Sequence, residues 1–151
     1  MRVLGVDYGR RRIGLALSDA SAMLARPWKT VAAAASPRAS ATALAKLVAA
    51  TNAEELGDRI DAIVVGLPRR LGGEDNEQTP SAREFASTLR RVTGLPVELQ
   101  DERLSSLAAE QVLAEHERDW RKRKEKLDAA AAAVILQDYL DQRARLTKGT
   151  R

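Results

Sequence analysis

The chain opens with Arg2-Val-Leu-Gly-Val-Asp-Tyr-Gly-Arg-Arg-Arg-Ile-Gly-Leu-Ala-Leu-Ser-Asp19, and this stretch constrains the fold more than any other. Two apolar runs, Val3 to Val6 and Ile13 to Leu17, flank a turn rich in glycine and arginine. Such a pair predicts a β-hairpin whose strands are buried well enough to dispense with polar alternation. Asp7 breaks the rule at the end of the first strand. Aspartate is depleted in strands, and a half-buried carboxylate is costly without a cation or hydrogen-bond donors. Asp-x-Gly is also ordinary turn chemistry, and Gly9 suits either a turn or the close approach of another molecule. The role of Asp7 therefore rests on the rest of the chain.

Length predicts one domain with a substantial core, filling residues 1–146, followed by a flexible basic tail at 147–151. The chain has no cysteine, which excludes thiol catalysis, disulfides and cysteine-ligated zinc, and fits a reducing compartment. Its single histidine, His116, excludes a multi-histidine metal site. No apolar run is long enough to span a bilayer, and the immediate N-terminal strand leaves no room for a targeting segment. The expectation is a soluble cytoplasmic protein with no membrane partner. Its net charge of +4 is concentrated at Arg10, Arg11 and Arg12, at Arg69 and Arg70, along Arg118 to Lys126, and after Gln142. Clustered cations of this kind favour a polyanion, most naturally nucleic acid.

After the hairpin, Leu24 to Val31 predicts a third strand anchored by Trp28. Ser36-Pro37 starts a helix with Ala41, Leu44, Leu47 and Val48 on one face. Asn52 to Arg59 reads as its irregular end or a short extra turn, with a break at Gly57. Asp61 to Pro68 is a β-branched apolar run, a buried strand expected to lie parallel to the first in the sheet centre. Arg69 to Gln78 is expected to be a mobile charged loop. Thr79-Pro80 opens a helix over Ser81 to Val92 that Gly94 closes, and Val97 to Gln100 is a short strand. Leu104 to Glu117 and about Leu127 to Arg145 are expected to be helical, with the basic segment between them. The summed pattern is an α/β domain, antiparallel at its start and βα-alternating thereafter.

Two further carboxylates join Asp7. Asp101-Glu102-Arg103 follows a predicted strand, and strand carboxyl ends in open α/β sheets are where ligands bind. Spacing does not separate Glu102 from Asp101, and a charged loop paired with Arg103 is the plain alternative. Asp128 is expected in the first turn of the last helix, where acidic residues often only cap amides. Yet Ala131, Ala132, Ile135 and Tyr139 share its face, so small residues would let that helix approach the sheet with Asp128 directed inward. Three acidic residues converging at one sheet end suit a hard divalent cation, Mg2+ or Mn2+, and two ions about 4 Å apart suit phosphodiester cleavage. Arg121, Lys122, Arg123, Lys124 and Lys126, just before Asp128, would form a phosphate-binding flank.

Four segments resemble the YqgF family, also called RuvX, of the ribonuclease H-like superfamily. They are Val6-Asp-Tyr-Gly-Arg-Arg-Arg-Ile-Gly-Leu-Ala-Leu-Ser-Asp19, Val64-Val-Gly-Leu-Pro68, Asp101-Glu-Arg-Leu-Ser105 and Lys126-Leu-Asp-Ala-Ala-Ala-Ala-Ala-Val-Ile-Leu136, spread over nearly the whole chain in the family's order. Members are described as Holliday junction resolvases and as nucleases maturing the 5′ end of precursor 16S rRNA. The resemblance implies a ribonuclease H-like fold, a mixed central sheet flanked by helices. It implies metal-binding catalytic carboxylates at Asp7, Glu102 and Asp128, choosing Glu102 over Asp101. The Asn52 to Arg59 stretch is longer, and the Arg69 to Gln78 loop more charged, than the family pattern. The implied partners are structured nucleic acid, as precursor rRNA or branched DNA, and the small ribosomal subunit, with the protein a monomer or homodimer. Two rival readings are weighed against a nuclease. An ATP-binding protein of the actin and sugar-kinase type also starts on Asp-x-Gly, but needs a second phosphate hairpin and an adenosine segment that this chain lacks. A non-catalytic nucleic-acid or ribosome-binding module would use only the basic surface, which the intact acidic set argues against.

Overall fold

Five strands, β1 (Arg2–Tyr8), β2 (Arg12–Ser18), β3 (Ala25–Ala32), β4 (Ile60–Leu67) and β5 (Val97–Asp101), form one sheet in the order β3-β2-β1-β4-β5. The computed structural model describes residues 2–54, 58–70, 72–102 and 120–149, the side chains of 120–125 and 148–149 excepted. β1 pairs antiparallel with β2 and parallel with β4, and β4 pairs parallel with β5, so the sheet is mixed as expected. The buried strand over Ile60–Leu67 lies beside the first strand and parallel to it, as its apolar run implied.

Strand alternation sorts the core into two layers. Leu4, Val6, Ile13, Leu15, Ile63 and Val65 face α1 (Pro37–Glu54) and α2 (Thr79–Thr93), meeting Leu44, Val48, Phe85 and Leu89. Val3, Ala16, Ala62 and Val64 face α3 (Trp120–Gly149), meeting Ala132, Ile135, Leu136 and Tyr139. Both helix starts follow the expected chemistry. Ser36 Oγ accepts the Ala39 amide at 3.1 Å, and proline occupies the first turn of α2, which Gly94 closes at φ 70°. Among the described residues no helix is long and apolar enough to cross a membrane.

Four expectations are corrected or left open. The last helix begins at Trp120 rather than near Leu127, and runs to Gly149 rather than Arg145. The basic segment is thus the start of the helix itself, and Asp128 lies two turns inside it, so it caps no helix end. The Arg69 to Gln78 loop, expected to be mobile, is folded back on itself. Arg69 bridges Asp75, the Arg70 amide reaches Glu74 O at 2.8 Å, and Arg83 of α2 grips Asp75 at 2.6 Å. Asn76 Oδ1 accepts the Gln78 and Thr79 amides, while the Thr79 hydroxyl donates to Pro68 O, seating the loop on β4. In the 52–59 stretch α1 stays helical to Glu54, and the Asn52 amide clasps both Ile60 N at 2.8 Å and Ile60 O at 3.1 Å. The expected break at Gly57 and the expected helix over Leu104 to Glu117, including His116, lie outside the described residues.

β3 is an edge strand, and it is irregular. Its register with β2 shifts between Leu15 and Ala16, so that Lys29 and Pro27 face consecutive residues and Trp28 bulges between them. The Trp28 ring packs against the α1–α2 core layer, the anchoring role its size implied.

Candidate active site

Asp7, Glu102 and Asp128 come from three elements and meet under the first half of α3. Alternation puts Asp7 on the same face of β1 as Val3 and Gly5, towards α3 and away from the α1–α2 core. The same alternation settles the choice left open between neighbours. Val97 packs into the α1–α2 layer, so Asp101 shares that side, whereas Glu98 and Glu102 share the side of α3. The Glu102 amide continues the ladder by donating to Leu67 O at 3.3 Å. Its carboxyl reaches across β4 to hydrogen-bond Asp7.

Two glycines make this approach possible. A Cβ on Gly66 of β4 would lie 2.5 Å from Glu102 Oε2, so only a bare α-carbon lets that side chain cross the strand. A Cβ on Gly14, which pairs with Asp7 across the hairpin, would lie 1.9 Å from the carbonyl oxygen of Asp128. The backbone of α3 therefore rests directly on β2. Small residues that follow, Ala129 to Ala132, are all buried in this close packing.

Electrostatically the site is under tension. Burial, then the charge of Asp7, then the hydrogen bond to Asp7 push the Glu102 carboxyl from the ordinary 4.5 up to about 9. Asp7 is also raised, by burial first, with the Glu102 hydrogen bond opposing and the Asp128 charge adding to the rise. Two carboxyls this close cannot both ionise without a counterion, so they share a proton, with Glu102 as donor and Asp7 as acceptor. The consequence for stability has a definite sign. The folded-state value of Glu102 exceeds the unfolded one, so its proton contributes stability that is fully present below about pH 4.5 and lost as pH rises through about 9. Thermal melts of chelator-treated protein are expected to decline across that window, and Glu102→Gln to flatten the decline. Equal slopes in both proteins would remove the shared proton from the account.

Asp128 is held differently. Arg12 Nε lies 2.9 Å from Asp128 Oδ2, but the pair is not aligned as a hydrogen bond. Asp128 Oδ2 is thus buried with no hydrogen-bond partner among the described residues. As they stand, no three acidic or histidine side chains among the described residues form a group spaced to hold a metal ion. The donor chemistry nevertheless fits a hard divalent cation. All three groups offer carboxylate oxygens, one oxygen is an orphan, and two are forced to share a proton for want of positive charge.

The basic residues are distributed around this end of the sheet. Arg10 and Arg11 are exposed on the β1–β2 turn, and Arg12 opens β2. Arg69 and Arg70 follow β4 on the same side, Arg69 half-buried with its Nε 3.7 Å from Asp75 Oδ1. Lys126 is exposed one turn-half before Asp128. Arg121, Lys122, Arg123 and Lys124 fall in the first turns of α3, but their side chains lie outside the described residues. The sequence reading missed the Arg12–Asp128 pair, which joins positions 116 apart in the chain, and the Asp75–Arg83 clasp beside Arg69. A cation among three arginines and an acid among alternating charges gave no local signal of either.

Comparison with known proteins bears on the family and the fold of this chain. The family model described as "RuvX: Holliday junction resolvase" matches residues 1–142. A protein of Chloroflexus aggregans named "Putative pre-16S rRNA nuclease" is 45% identical over 141 residues, covering 93% of this chain and 94% of its own. One of the same name from an Anaeromyxobacter species is 45% identical over 143 residues, covering 95% and 98%. Among solved structures, T. thermophilus RuvC in complex with a Holliday junction substrate superposes with a TM-score of 0.58 at 18% identity, over 96% of each chain. The fowlpox virus resolvase does so with a TM-score of 0.58 at 12% identity, over 94% of this chain and 98% of its own. At such identities the two structures share the ribonuclease H-like fold with this one. The matched length and identity of the sequence relatives go further: the chain belongs to the RuvX family.

Proposed function

We propose that this protein is a divalent-metal-dependent endonuclease that hydrolyses phosphodiester bonds, acting in the cytoplasm on the 5′ end of precursor 16S rRNA. The observation that carries the reading is the buried Asp7–Glu102 carboxyl pair beside Asp128, whose Oδ2 meets only the misaligned Arg12 guanidinium among the described residues. Such a cluster is destabilising in isolation, and structures retain such sites where function needs them. Asp7, Glu102 and Asp128 would hold Mg2+ or Mn2+, two ions with substrate bound. When bound, the ions supply the charge that turns water into a nucleophile and stabilises the leaving oxygen. The chain supplies the rest. Glu102 would release to solvent the proton it shares with Asp7, so that both carboxylates could serve as ligands. Arg10, Arg11, Arg70 and Lys126 bring exposed positive charge to the nucleic-acid backbone. Arg69, half-buried 3.7 Å from Asp75, would add a further guanidinium at the edge of the site. Names of the sequence relatives support an RNA substrate, and the family description supports a branched DNA as the alternative.

The test is a side-by-side cleavage assay in Mg2+ or Mn2+. The substrates are an RNA carrying the extended 5′ end of the small-subunit precursor, a four-way DNA junction and matched duplex DNA. Cleavage of the RNA alone is the expected result. Paired nicks in the junction alone would make the protein a resolvase, and would call for a two-fold dimer. Binding without any cleavage would leave only the nucleic-acid-binding module.

A further inference from the structure

The mechanism above leaves one contact unused. Asp128 faces a cation of its own chain. Arg12 and Gly14 are two residues apart on β2 and so point to the same side, and Gly14 is where the Asp128 backbone rests. The ion pair is therefore set by two rigid elements in contact. Its guanidinium is half-exposed, at 52%, beside Arg10 and Arg11, whereas the carboxylate end is only 25% exposed. Arg12 thus has one end at the third carboxylate and its other side towards the surface where phosphates would arrive. The pair is close, at 2.9 Å, yet not aligned as a hydrogen bond. A phosphodiester oxygen offers a guanidinium better-aligned partners.

We infer that Arg12 is a positioning residue that stands in for the metal at Asp128 until a nucleic-acid phosphate draws it away, so that nucleic acid and divalent ion bind cooperatively. This rests on the metal-site reading given above. One guanidinium cannot neutralise Asp128 and a phosphate equally well at once. Phosphate binding then frees the Asp128 oxygen for the ion, and by linkage the ion frees Arg12 for the phosphate. Metal loading is thereby biased towards protein that already holds its substrate.

The experiment titrates Mn2+ and follows the free ion by electron paramagnetic resonance, with no turnover involved. Without nucleic acid, Arg12→Gln is expected to bind Mn2+ about fivefold more tightly than wild type, the scale of one half-exposed ion pair. Arg12→Lys keeps the charge, and Arg91→Gln loses the same charge from the exposed last turn of α2; both are expected to match wild type. Adding a cleavage-resistant phosphorothioate RNA duplex is expected to tighten Mn2+ binding in wild type by about fivefold or more, and by less in Arg12→Gln. Unchanged affinity in Arg12→Gln, or an equal gain in Mn2+ affinity in Arg91→Gln, would overturn the inference while leaving the nuclease reading intact. Absence of Mn2+ binding in wild type and every variant would overturn the metal-site reading itself. Thermal melts confirm that each variant is folded, and the wild-type comparison with and without RNA stands without any variant.

Discussion

Asp7→Asn is expected to lower cleavage by about a thousandfold while leaving nucleic-acid affinity within about twofold. A thousandfold corresponds to roughly 4 kcal/mol of lost transition-state stabilisation, the scale of metal-assisted charge stabilisation. Binding is expected to be spared because the proposed phosphate contacts would come from the arginine clusters and Lys126 rather than from Asp7. The same variant is expected to melt a few degrees higher than wild type in chelator at neutral pH. Asp7 is buried among like charges, and its carboxyl is pushed up by burial and by Asp128. Asparagine keeps an oxygen to accept the Glu102 proton and removes the charge. Loss of activity together with gain in metal-free stability is the signature of a site strained for function. A variant that lost activity and stability together would instead mark Asp7 as structural, and full activity would remove it from the site.

Gly14→Ala is expected to be the most damaging small substitution in the chain. Its Cβ would fall 1.9 Å from a backbone oxygen and 2.2 Å from the carbonyl carbon of Asp128, neither of which can swing aside as a side chain can. Either β2 or α3 must move. Overpacking of this kind costs about 3 kcal/mol or more, a fall in melting temperature of roughly 6–12 °C for a domain of this size. Because the displaced segment carries Asp128, activity is expected to fall along with stability. Gly66→Ala provides the contrast. Its Cβ would meet only the tips of Glu102 and Ile135, at 2.5 and 2.6 Å, so the backbone stays and Glu102 swings out. Activity should fall further than stability there. Equal melting temperatures for Gly14→Ala and wild type would show that α3 does not rest on β2 as described.

How much of this was legible beforehand depended on whether a segment carried its own signal. The β1–β2 hairpin announces itself as two apolar runs and β4 as a β-branched one, and Ser36-Pro37 and Thr79-Pro80 mark two helix starts by local chemistry. Asp7 was legible because a carboxylate ending an apolar strand breaks a rule. The start of α3 was not. Arg121 to Lys126 has no apolar face, so periodicity is blind to a helix there and places Asp128 in the first turn. Glu102 was separated from Asp101 only by the family resemblance, although strand parity reaches the same answer once the burial of Val97 is known. The order in the Arg69 to Gln78 loop depends on Arg83, on a different element, and no reading of the loop alone supplies it.

The bulge at Trp28 and the neighbouring Pro27 bear on how copies of this molecule meet. An outer strand is a template on which another chain can lay a further strand, and a continuous flat ladder invites it. Proline brings no amide to the strand, a bulge makes the ladder irregular, and Arg26 and Lys29 put like charges along it. On this side the hydrogen-bonded sheet comes to a deliberate stop. A blunted margin of this kind keeps copies of the molecule from zipping edge to edge into fibres.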